Sequence, residues 1–257
     1  MTPRLTVLCS VYNGARFLPL ALQSVWAQDY SDFELILIDD GSTDETVRII
    51  DGAAARDERV VVIRHKNQGL TRSLNVGLKR ARGEYVARQD ADDVSLPGRF
   101  SAQVRFLDRH PDTVVVGCHY LRINESGTVL GRAHVPTTDL GLRLRLLEAN
   151  AIPHSGATFR RREVLEAGGY DEDFSVAQDY DLWCRLALAG RLANLRQVAL
   201  YRREHPRAIG ANQAALQLQS RDTIRARYQQ RLLAEPRRGL SGWILWSAAA
   251  LRRQGGR

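Results

Sequence analysis

The stretch Glu84-Tyr-Val-Ala-Arg-Gln-Asp-Ala-Asp-Asp-Val94 begins as a short, largely apolar run and ends in closely spaced carboxylates. It predicts a strand with Asp90, Asp92 and Asp93 at its carboxyl end. Carboxylates this close repel one another, and Mg²⁺ and Mn²⁺ prefer such oxygen ligands, so the stretch predicts a divalent-cation site. Two alternatives remain open: a solvated acidic loop, or Asp93 as the cap of a helix after Pro97.

Three more apolar runs precede this stretch, and each is followed by a segment in which apolar residues recur at helical spacing. The runs lie at 5–9, 33–38 and 60–63. Short apolar runs that alternate with helices predict βαβ units, and therefore an α/β fold with a mostly parallel, twisted sheet and helices on both faces. The near-continuous Val, Ile and Leu of these runs support burial on both sides of the sheet.

Polar side chains follow several of these predicted strands at the point where each strand ends. Ser10 follows the first, Asp39 and Asp40 follow the second, and Asp90 follows the fourth. Ligands of such sheets bind outside the carboxyl ends of the strands, so these residues predict a site at one edge. The sequence has neither a Gly-x-Gly-x-x-Gly turn nor a phosphate-loop Gly-Lys-Ser/Thr, which argues against dinucleotide-binding and P-loop proteins.

The remainder of the chain predicts further elements and a division into a main domain, 1–208, and a basic helical extension, 209–257. In chain order we expect a helix after residue 97, a strand at 113–118, a hairpin turn at 124–127, a helix at 140–147, an extended segment at 152–159, helices at 161–167 and 177–187, a strand at 192–201, and a long arginine-rich helix at 211–233.

Composition argues against several classes of protein. The net charge is +8, but nine arginines against two acidic residues from position 221 onward account for +7, so the body of the chain is nearly balanced and we expect no nucleic-acid partner. Cys9, Cys118 and Cys184 lack paired spacing, which argues against disulfides and a zinc site. The N-terminus enters a strand-like run without a signal-peptide pattern, so we expect a cytoplasmic protein.

Motifs distributed over about residues 5–205 resemble those of the inverting glycosyltransferase family 2. That family has the nucleotide-diphospho-sugar transferase fold, of the GT-A type. The motifs are Ser10-Val-Tyr-Asn13, Ile38-Asp-Asp-Gly-Ser-Thr-Asp44, Asn67-Gln-Gly69, Asp90-Ala-Asp-Asp93, Gly168-Gly-Tyr-Asp171, Gln178-Asp-Tyr-Asp-Leu-Trp183 and Tyr201-Arg-x-x-His205.

The resemblance implies a nucleotide-diphospho-sugar donor bound by about residues 1–95, with Mn²⁺ or Mg²⁺. It makes Ser10 and Asp40 contacts to the base, Asp90 a contact to the ribose, and Asp92 the ligand of the metal that bridges the diphosphate. His205 resembles a phosphate-side residue of the metal site, although a surface histidine after a strand would look the same. Further donor contacts implied by the resemblance are Tyr12, Asn13, Asn67, Arg72 and Ala91.

For the acceptor half, about residues 96–208, the resemblance makes Asp179 the catalytic base and lines the acceptor pocket with His154 and Ser155. Alternatives are a helix cap in which Asp179 pairs with Asp181, and an ordinary turn at His154. Many relatives have Glu-Asp at the base motif, where this chain has Gln178-Asp179. Loss of the neighbouring acid should make Asp179 easier to ionise.

The activity implied is transfer of one sugar to a hydroxyl of a glycan or polyprenyl-linked acceptor, in cell-surface glycan synthesis. The Gln-x-x-Arg-Trp signature of processive synthases is absent. A sugar-phosphate nucleotidyltransferase is an alternative, but the loop Val11-Tyr-Asn-Gly-Ala-Arg16 has one glycine where that class carries a glycine-rich loop. A basic nucleic-acid-binding module is the other alternative, and the balanced body argues against it.

The segment 236–253 places two arginine pairs around an apolar core that contains Trp243 and Trp246. The core is too short to cross a hydrocarbon layer of about 30 Å as a helix. Tryptophan favours the headgroup level and arginine is attracted to anionic lipid, so the segment predicts peripheral contact with the cytoplasmic face of a membrane. Packing of the same segment onto the sheet is the alternative.

Overall fold

The structure is a computed structural model that describes residues 2–206 and 213–234. The strands are β1 (Leu5–Val11), β2 (Phe33–Asp39), β3 (Val60–Arg64), β4 (Tyr85–Arg88), β5 (Val94–Ser95), β6 (Thr113–Ile123), β7 (Val129–Ala133), β8 (Thr158–Arg160) and β9 (Arg191–Arg203). The helices are α1 (Leu18–Trp26), α2 (Thr46–Arg56), α3 (Leu70–Arg80), α4 (Arg99–Arg109), α5 (Asp139–Leu146), α6 (Arg161–Glu166), α7 (Gln178–Ala189) and α8 (Ala214–Ala234), with a 3₁₀ turn at His154–Gly156.

The strands form one mixed sheet in the order β3-β2-β1-β4-β8-β6-β9-β5, with β7 paired to β6. Strands β3, β2, β1 and β4 are parallel, as the βαβ pattern predicts. Strand β8 runs antiparallel to both β4 and β6, and β5 runs antiparallel to β9, whereas β6 and β9 are parallel. The predicted α/β class is confirmed, and parallel pairing is continuous only through the first four strands.

Two hydrophobic cores lie on opposite faces of the sheet. Successive residues of β1 alternate between them, with Leu8 in one core and Val7 and Cys9 in the other. The first core is completed mainly by α3, α5 and α7, and the second by α1, α2 and α4. Burial on both faces explains why β1 and β2 are apolar almost throughout.

Parallel pairing brings the ends of β1, β2 and β4 to one edge, where their loops contact each other closely. Gly41, directly after β2, has φ +80°, and a Cβ there would lie 2.6 Å from the amide nitrogen of Asn67. The β2 loop can therefore touch the β3 loop only with glycine at this position. On the other side, β5 pairs with the end of β9, which fixes the loop 90–93 against residues 200–205.

Two expectations need adjustment, and a third is not tested. The segment 152–159 is not extended throughout, because a 3₁₀ turn at His154–Gly156 precedes the short β8. The long helix begins at Ala214 and packs on α7 through Ile224, Tyr228 and Leu232, which are buried. The segment 236–253 lies outside the described residues. Within the part of the chain that the structure covers, no helix is long and apolar enough to cross a membrane.

Candidate active site

The three acids after β4 have different partners. Asp90 is paired with the guanidinium of Arg88, and its amide donates to Ser155 Oγ at 2.9 Å. Asp93 is buried and accepts the amide of Arg203 at 2.8 Å, so it is not the cap of α4. Asp92 Oδ2 lies 2.9 Å from His205 Nε2. Burial raises the pKa of Asp93 well above its usual value, and the charges of Asp92 and Asp90 add to this.

These contacts argue against a merely solvated loop and fit a cation site. His205 is 10% exposed, and its ring centroid is 5.2 Å from that of Phe17, so the imidazole is held against the carboxylate of Asp92. No third His, Cys, Asp or Glu joins them in a metal-binding group among the residues that the structure describes. One carboxylate and one imidazole suit Mn²⁺ or Mg²⁺ that completes its shell with substrate oxygens and water.

The loops after β1 and β2 are joined through Asn13, one of the predicted donor contacts. Its backbone is left-handed, with φ 51°, and its side-chain oxygen accepts the amide of Thr43 at 2.8 Å. Its own amide donates to Ser42 Oγ at 3.0 Å. Beside it, Ser10 is buried at the end of β1 and Tyr12 is 52% exposed. The exposed ring and the joined loops therefore lie together at the carboxyl ends of β1 and β2.

Asp40 is an anchor of the β3–α3 loop. Its two carboxylate oxygens accept the amides of Gln68 at 2.9 Å and Gly69 at 3.0 Å, and His65 Nδ1 lies 3.2 Å away. The carboxylate is buried and engaged, and Asn67 beside it is exposed. Base contact by Asp40 stays a prediction, and the contacts in the structure give it a role in holding the loop.

The remaining two predicted donor residues, Arg72 and Ala91, contact different parts of the chain. Arg72, at the start of α3, is largely exposed and its Nε lies 3.3 Å from Glu172 Oε2. Ala91 is half-buried within the acidic loop, and a Cβ at Gly14 would lie 3.7 Å from its side chain. Arg72 is therefore connected to the segment before α7, whereas Ala91 lies against the loop after β1.

Asp179 lies in the first turn of α7. Its Oδ2 accepts Asn150 Nδ2 at 2.6 Å and its Oδ1 accepts the amide of Tyr180 at 2.9 Å. Burial raises the pKa of Asp179 to about 6; the two hydrogen bonds oppose the shift, and the charge of Asp90 adds to it. The alternative pairing with Asp181 is not observed, because Asp181 binds Arg185 at 2.7 Å.

His154 and Ser155, predicted to line the acceptor pocket, make contacts behind the acidic loop. Arg88 Nε donates to His154 Nε2 at 3.0 Å, and Tyr170 Oη lies 2.9 Å from the same nitrogen. Because arginine can only donate, His154 Nε2 is an acceptor and the ring proton is on Nδ1. Burial and the charge of Arg88 lower the pKa of His154 well below its usual value, so the ring is neutral. Their acceptor contacts stay a prediction.

Sequence reasoning missed the buried arginines that hold this loop in place. Arg88 and Arg99 are fully buried, and Arg99 donates to Ser95 Oγ at 2.6 Å and to the carbonyl of Arg88 at 2.7 Å. Arg203 donates through Nε to the carbonyl of Asp92 at 2.9 Å. The available signal was a charged residue, Arg88, at the end of an otherwise apolar strand, because such a charge is buried only where partners compensate it.

The sequence profile described as "Glycosyl transferase family 2" matches residues 6–169. The chain belongs to this family. The predicted resemblance is confirmed, and the match favours glycosyl transfer over the nucleotidyltransferase and nucleic-acid-binding alternatives. EpsE of Bacillus subtilis, named as a glycosyltransferase, is 35% identical over 204 residues, which are 78% of this chain and 72% of EpsE. The amylovoran biosynthesis glycosyltransferase AmsE of Erwinia amylovora is 32% identical over 200 residues, 76% of this chain and 74% of AmsE.

Solved structures agree with the fold of this family 2 glycosyltransferase. The mannosyltransferase PcManGT from Pyrobaculum calidifontis, in complex with GDP-Man and Mn²⁺, has a TM-score of 0.68 at 20% identity, over 97% of this chain and 74% of that one. S. aureus TarS 1–349 in complex with UDP-GlcNAc has a TM-score of 0.66 at 21% identity, over 79% of this chain. The match spans 59% of that TarS chain. At these identities the likeness concerns the fold.

Proposed function

We propose that this enzyme transfers one sugar, with inversion, from a nucleotide-diphospho-sugar to a hydroxyl of a glycan or polyprenyl-linked acceptor during cell-surface glycan synthesis. The observation that carries the proposal is the acidic loop, in which Asp92 faces His205 and Asp90 is close enough to Asp179 to raise its pKa. A site for a diphosphate and a candidate base therefore lie within electrostatic reach of each other.

The names of the similar proteins support the substrate class. AmsE is named for the biosynthesis of the polysaccharide amylovoran, and the TarS and PcManGT structures contain nucleotide-sugars, the second with Mn²⁺. A bound Mn²⁺ or Mg²⁺ would neutralise charge on the departing diphosphate, and Asp92 with His205 are the residues that would hold it. Ser10, Tyr12, Asn13, Asp40, Asn67, Arg72, Asp90 and Ala91 are proposed as donor contacts.

The proposed transfer step depends on whether the carboxylate of Asp179 is ionised. In its ionised form the carboxylate accepts the proton of the acceptor hydroxyl, whose oxygen forms the bond to the anomeric carbon. The bond from that carbon to the diphosphate oxygen breaks, and the nucleoside diphosphate leaves with the electron pair. Attack from the face opposite to the leaving group inverts the anomeric centre. A pKa of about 6 suits a group that must be ionised near neutral pH but still be able to take a proton.

The test of the proposal is Asp92→Asn. Because the amide is a poorer ligand and is neutral, we expect turnover to be abolished and UDP or GDP binding with Mn²⁺ to weaken, with the melting temperature nearly unchanged. Donor use is first found by a thermal-shift panel of uridine, guanosine and thymidine diphospho-sugars, and binding is then measured by calorimetry. Asp51→Asn, which removes a surface partner of Arg64, is the matched control. Full activity of Asp92→Asn, or of the wild type in excess chelator, contradicts the proposal.

A further inference from the structure

Arg88, the last residue of β4, is fully buried directly behind the acidic loop. Its Nη1 donates to the carbonyls of Leu8 and, at 3.1 Å, Gln89. Its Nε donates to His154 Nε2 at 3.0 Å, and its Nη2 donates to Asp90 Oδ1. Backbone oxygens, a neutral imidazole and a carboxylate therefore surround one guanidinium.

These partners fix the direction of the guanidinium. The donors of arginine form a planar, rigid fork, so anchoring Nη1 and Nε also sets where Nη2 points. The anchors themselves belong to hydrogen-bonded structure, because Leu8 is in β1, which pairs with a strand on each side, and His154 is in the 3₁₀ turn. The position of Nη2, in turn, sets the rotation of the Asp90 carboxylate.

Asp90 has one oxygen bound and one available. Oδ1 is held by Arg88, and among the hydrogen bonds between described residues none reaches Oδ2. The side chain keeps 31% of its surface exposed, so the carboxylate can be reached from solvent. A carboxylate that is fixed on one oxygen and free on the other is prepared to accept a hydroxyl group.

We infer that Arg88 is a positioning residue that orients Asp90 toward the ribose hydroxyls of a nucleoside diphosphate, and that His154 in turn orients Arg88. The inference rests on the proposed function, in which Asp90 is the ribose contact. It gives His154 a part on the donor side of the site, because its unprotonated Nε2 is an acceptor for Arg88.

Arg99 is a buried arginine with a structural role, and its partners differ from those of Arg88. Arg99 is as deeply buried, but its donors reach neutral groups: carbonyls, Ser95, and the amide oxygens of Gln89 and Gln103. Arg88 is instead ion-paired with a residue of the proposed donor site. Burial of the charge of Arg88 is therefore compensated at the place where a ligand would bind.

The experiment measures how strongly each protein prefers ribose over deoxyribose. Dissociation constants for UDP, GDP and their 2′-deoxy and 3′-deoxy forms are measured with Mn²⁺ by calorimetry. In the wild type we expect loss of the contacted hydroxyl to weaken binding about tenfold or more, since it removes a hydrogen bond to a charged group. In Arg88→Lys and Arg88→Gln we expect the ratio to fall toward one, because the carboxylate is no longer oriented.

The control is Arg160→Lys. Arg160 is also largely buried and donates to the carbonyls of Thr113 at 3.0 Å and Leu107 at 2.7 Å, but it does not touch the acidic loop. Its replacement should lower the melting temperature and leave the preference for ribose unchanged. A merely structural role for Arg88 would give the same result as this control, and that result overturns the inference.

The outcomes also separate the inference from the proposed function. One outcome is that the wild type and Arg88→Lys both prefer the ribose form of the nucleotide, whereas Asp90→Asn does not. In that case the inference is wrong and the proposed function stands. If the wild type binds no nucleoside diphosphate, or binds ribose and deoxyribose forms equally, the proposed role of Asp90 fails first. If the Arg88 variants do not fold, His154→Leu replaces them, because it removes the acceptor of Arg88 Nε. An undiminished preference in that variant overturns the inference.

Discussion

Asp179 and Asp181 lie two residues apart at the start of α7, and their carboxylates have different partners. Asp181 is ion-paired with Arg185 one turn later, whereas the hydrogen bonds that Asp179 accepts from other described residues come from the neutral donors Asn150 and Tyr180. Burial raises the pKa of both groups, and for Asp179 to about 6. A carboxylate without a cationic partner is the one that can take up a proton, which favours Asp179 as the base.

The pH dependence of turnover tests this assignment. Because Asp179 must be ionised to accept a proton, kcat should fall about tenfold per pH unit below a midpoint near 6 and level off above it. Asn150→Ala removes a hydrogen bond that favours the ionised form, so the midpoint should move to higher pH. Asp179→Asn should lower kcat by about 10²-fold or more with donor affinity retained. The measurement is kcat against pH at saturating donor.

The control for this prediction is Asp173→Asn, which changes an exposed acid in the segment before α7. In this variant the fall of kcat at low pH should have the same midpoint as in the wild type. A loss of donor affinity in step with the rate of Asp179→Asn would instead assign that residue to the donor site.

The sequence predicts the acidic loop but not the partners that its carboxylates find in the fold. Clustered acids such as Asp90 and Asp92 are unusual in any chain, so their type and position after a strand are sufficient to indicate a site. Their partners are not readable, because Arg88, His154 and His205 reach them through folding contacts. The partners of Asp40 in the β3–α3 loop, likewise, are backbone amides, which no residue type in the sequence indicates.

Helix α3 packs unusually close to the sheet. A Cβ on Gly77 would lie 2.3 Å from Leu8 Cδ1 and 2.7 Å from Ile38 Cδ1, and both of these side chains are fully buried. Alanine at this position gains about 1 kcal/mol of helix propensity but overpacks the core by about 1–3 kcal/mol. We expect Gly77→Ala to destabilise the protein by about 1 kcal/mol, measured by denaturant unfolding.

The matched control lies in α2, where no described residue from elsewhere in the chain has an atom within 4 Å of the position that a Cβ on Gly52 would occupy. There the propensity gain is unopposed, so Gly52→Ala should stabilise the protein by about 0.5–1 kcal/mol. If both variants raise the free energy of unfolding, α3 does not approach the sheet as closely as these distances indicate.

The sequence predicted best those strands that are long and that pair with strands close to them in the chain. Strands β1 and β2 have seven residues each, alternate with helices and pair with each other, so apolar runs were sufficient. Strands β5 and β8 have two and three residues, too few for a pattern, and their partners are far away in the chain. The hairpin turn between β6 and β7 was predicted, but the antiparallel pairing of β5 and β8 was missed.

We propose that the segment 236–253 brings the enzyme to an anionic membrane surface. A chain that ends at Pro236 keeps α8, whose Tyr228 and Leu232 are buried in the main core, so its fold should be retained. It should lose binding to phosphatidylserine-containing vesicles and keep donor hydrolysis. Binding of the full chain should weaken with salt, because each arginine contributes ~1 kcal/mol of screened attraction. Co-sedimentation with vesicles is the measurement.

Vesicles of phosphatidylcholine alone are the control for charge, and replacement of Arg237, Arg238, Arg252 and Arg253 by glutamine is the control for sequence. Both should abolish most of the salt-dependent binding. Unfolding of the truncated chain would show that the segment belongs to the core, and a full chain that ignores anionic vesicles at low salt contradicts the membrane proposal.

The contact between Asp92 and His205 joins residues that are 113 positions apart. Asp93 depends on the same late segment, since its partner is the amide of Arg203 at the end of β9. During synthesis the ribosome releases the acidic loop long before either partner exists. The contacts of Asp92 and Asp93 can therefore form only after β9 and His205 have been synthesised, so this centre stays incomplete until the last of the described strands is available.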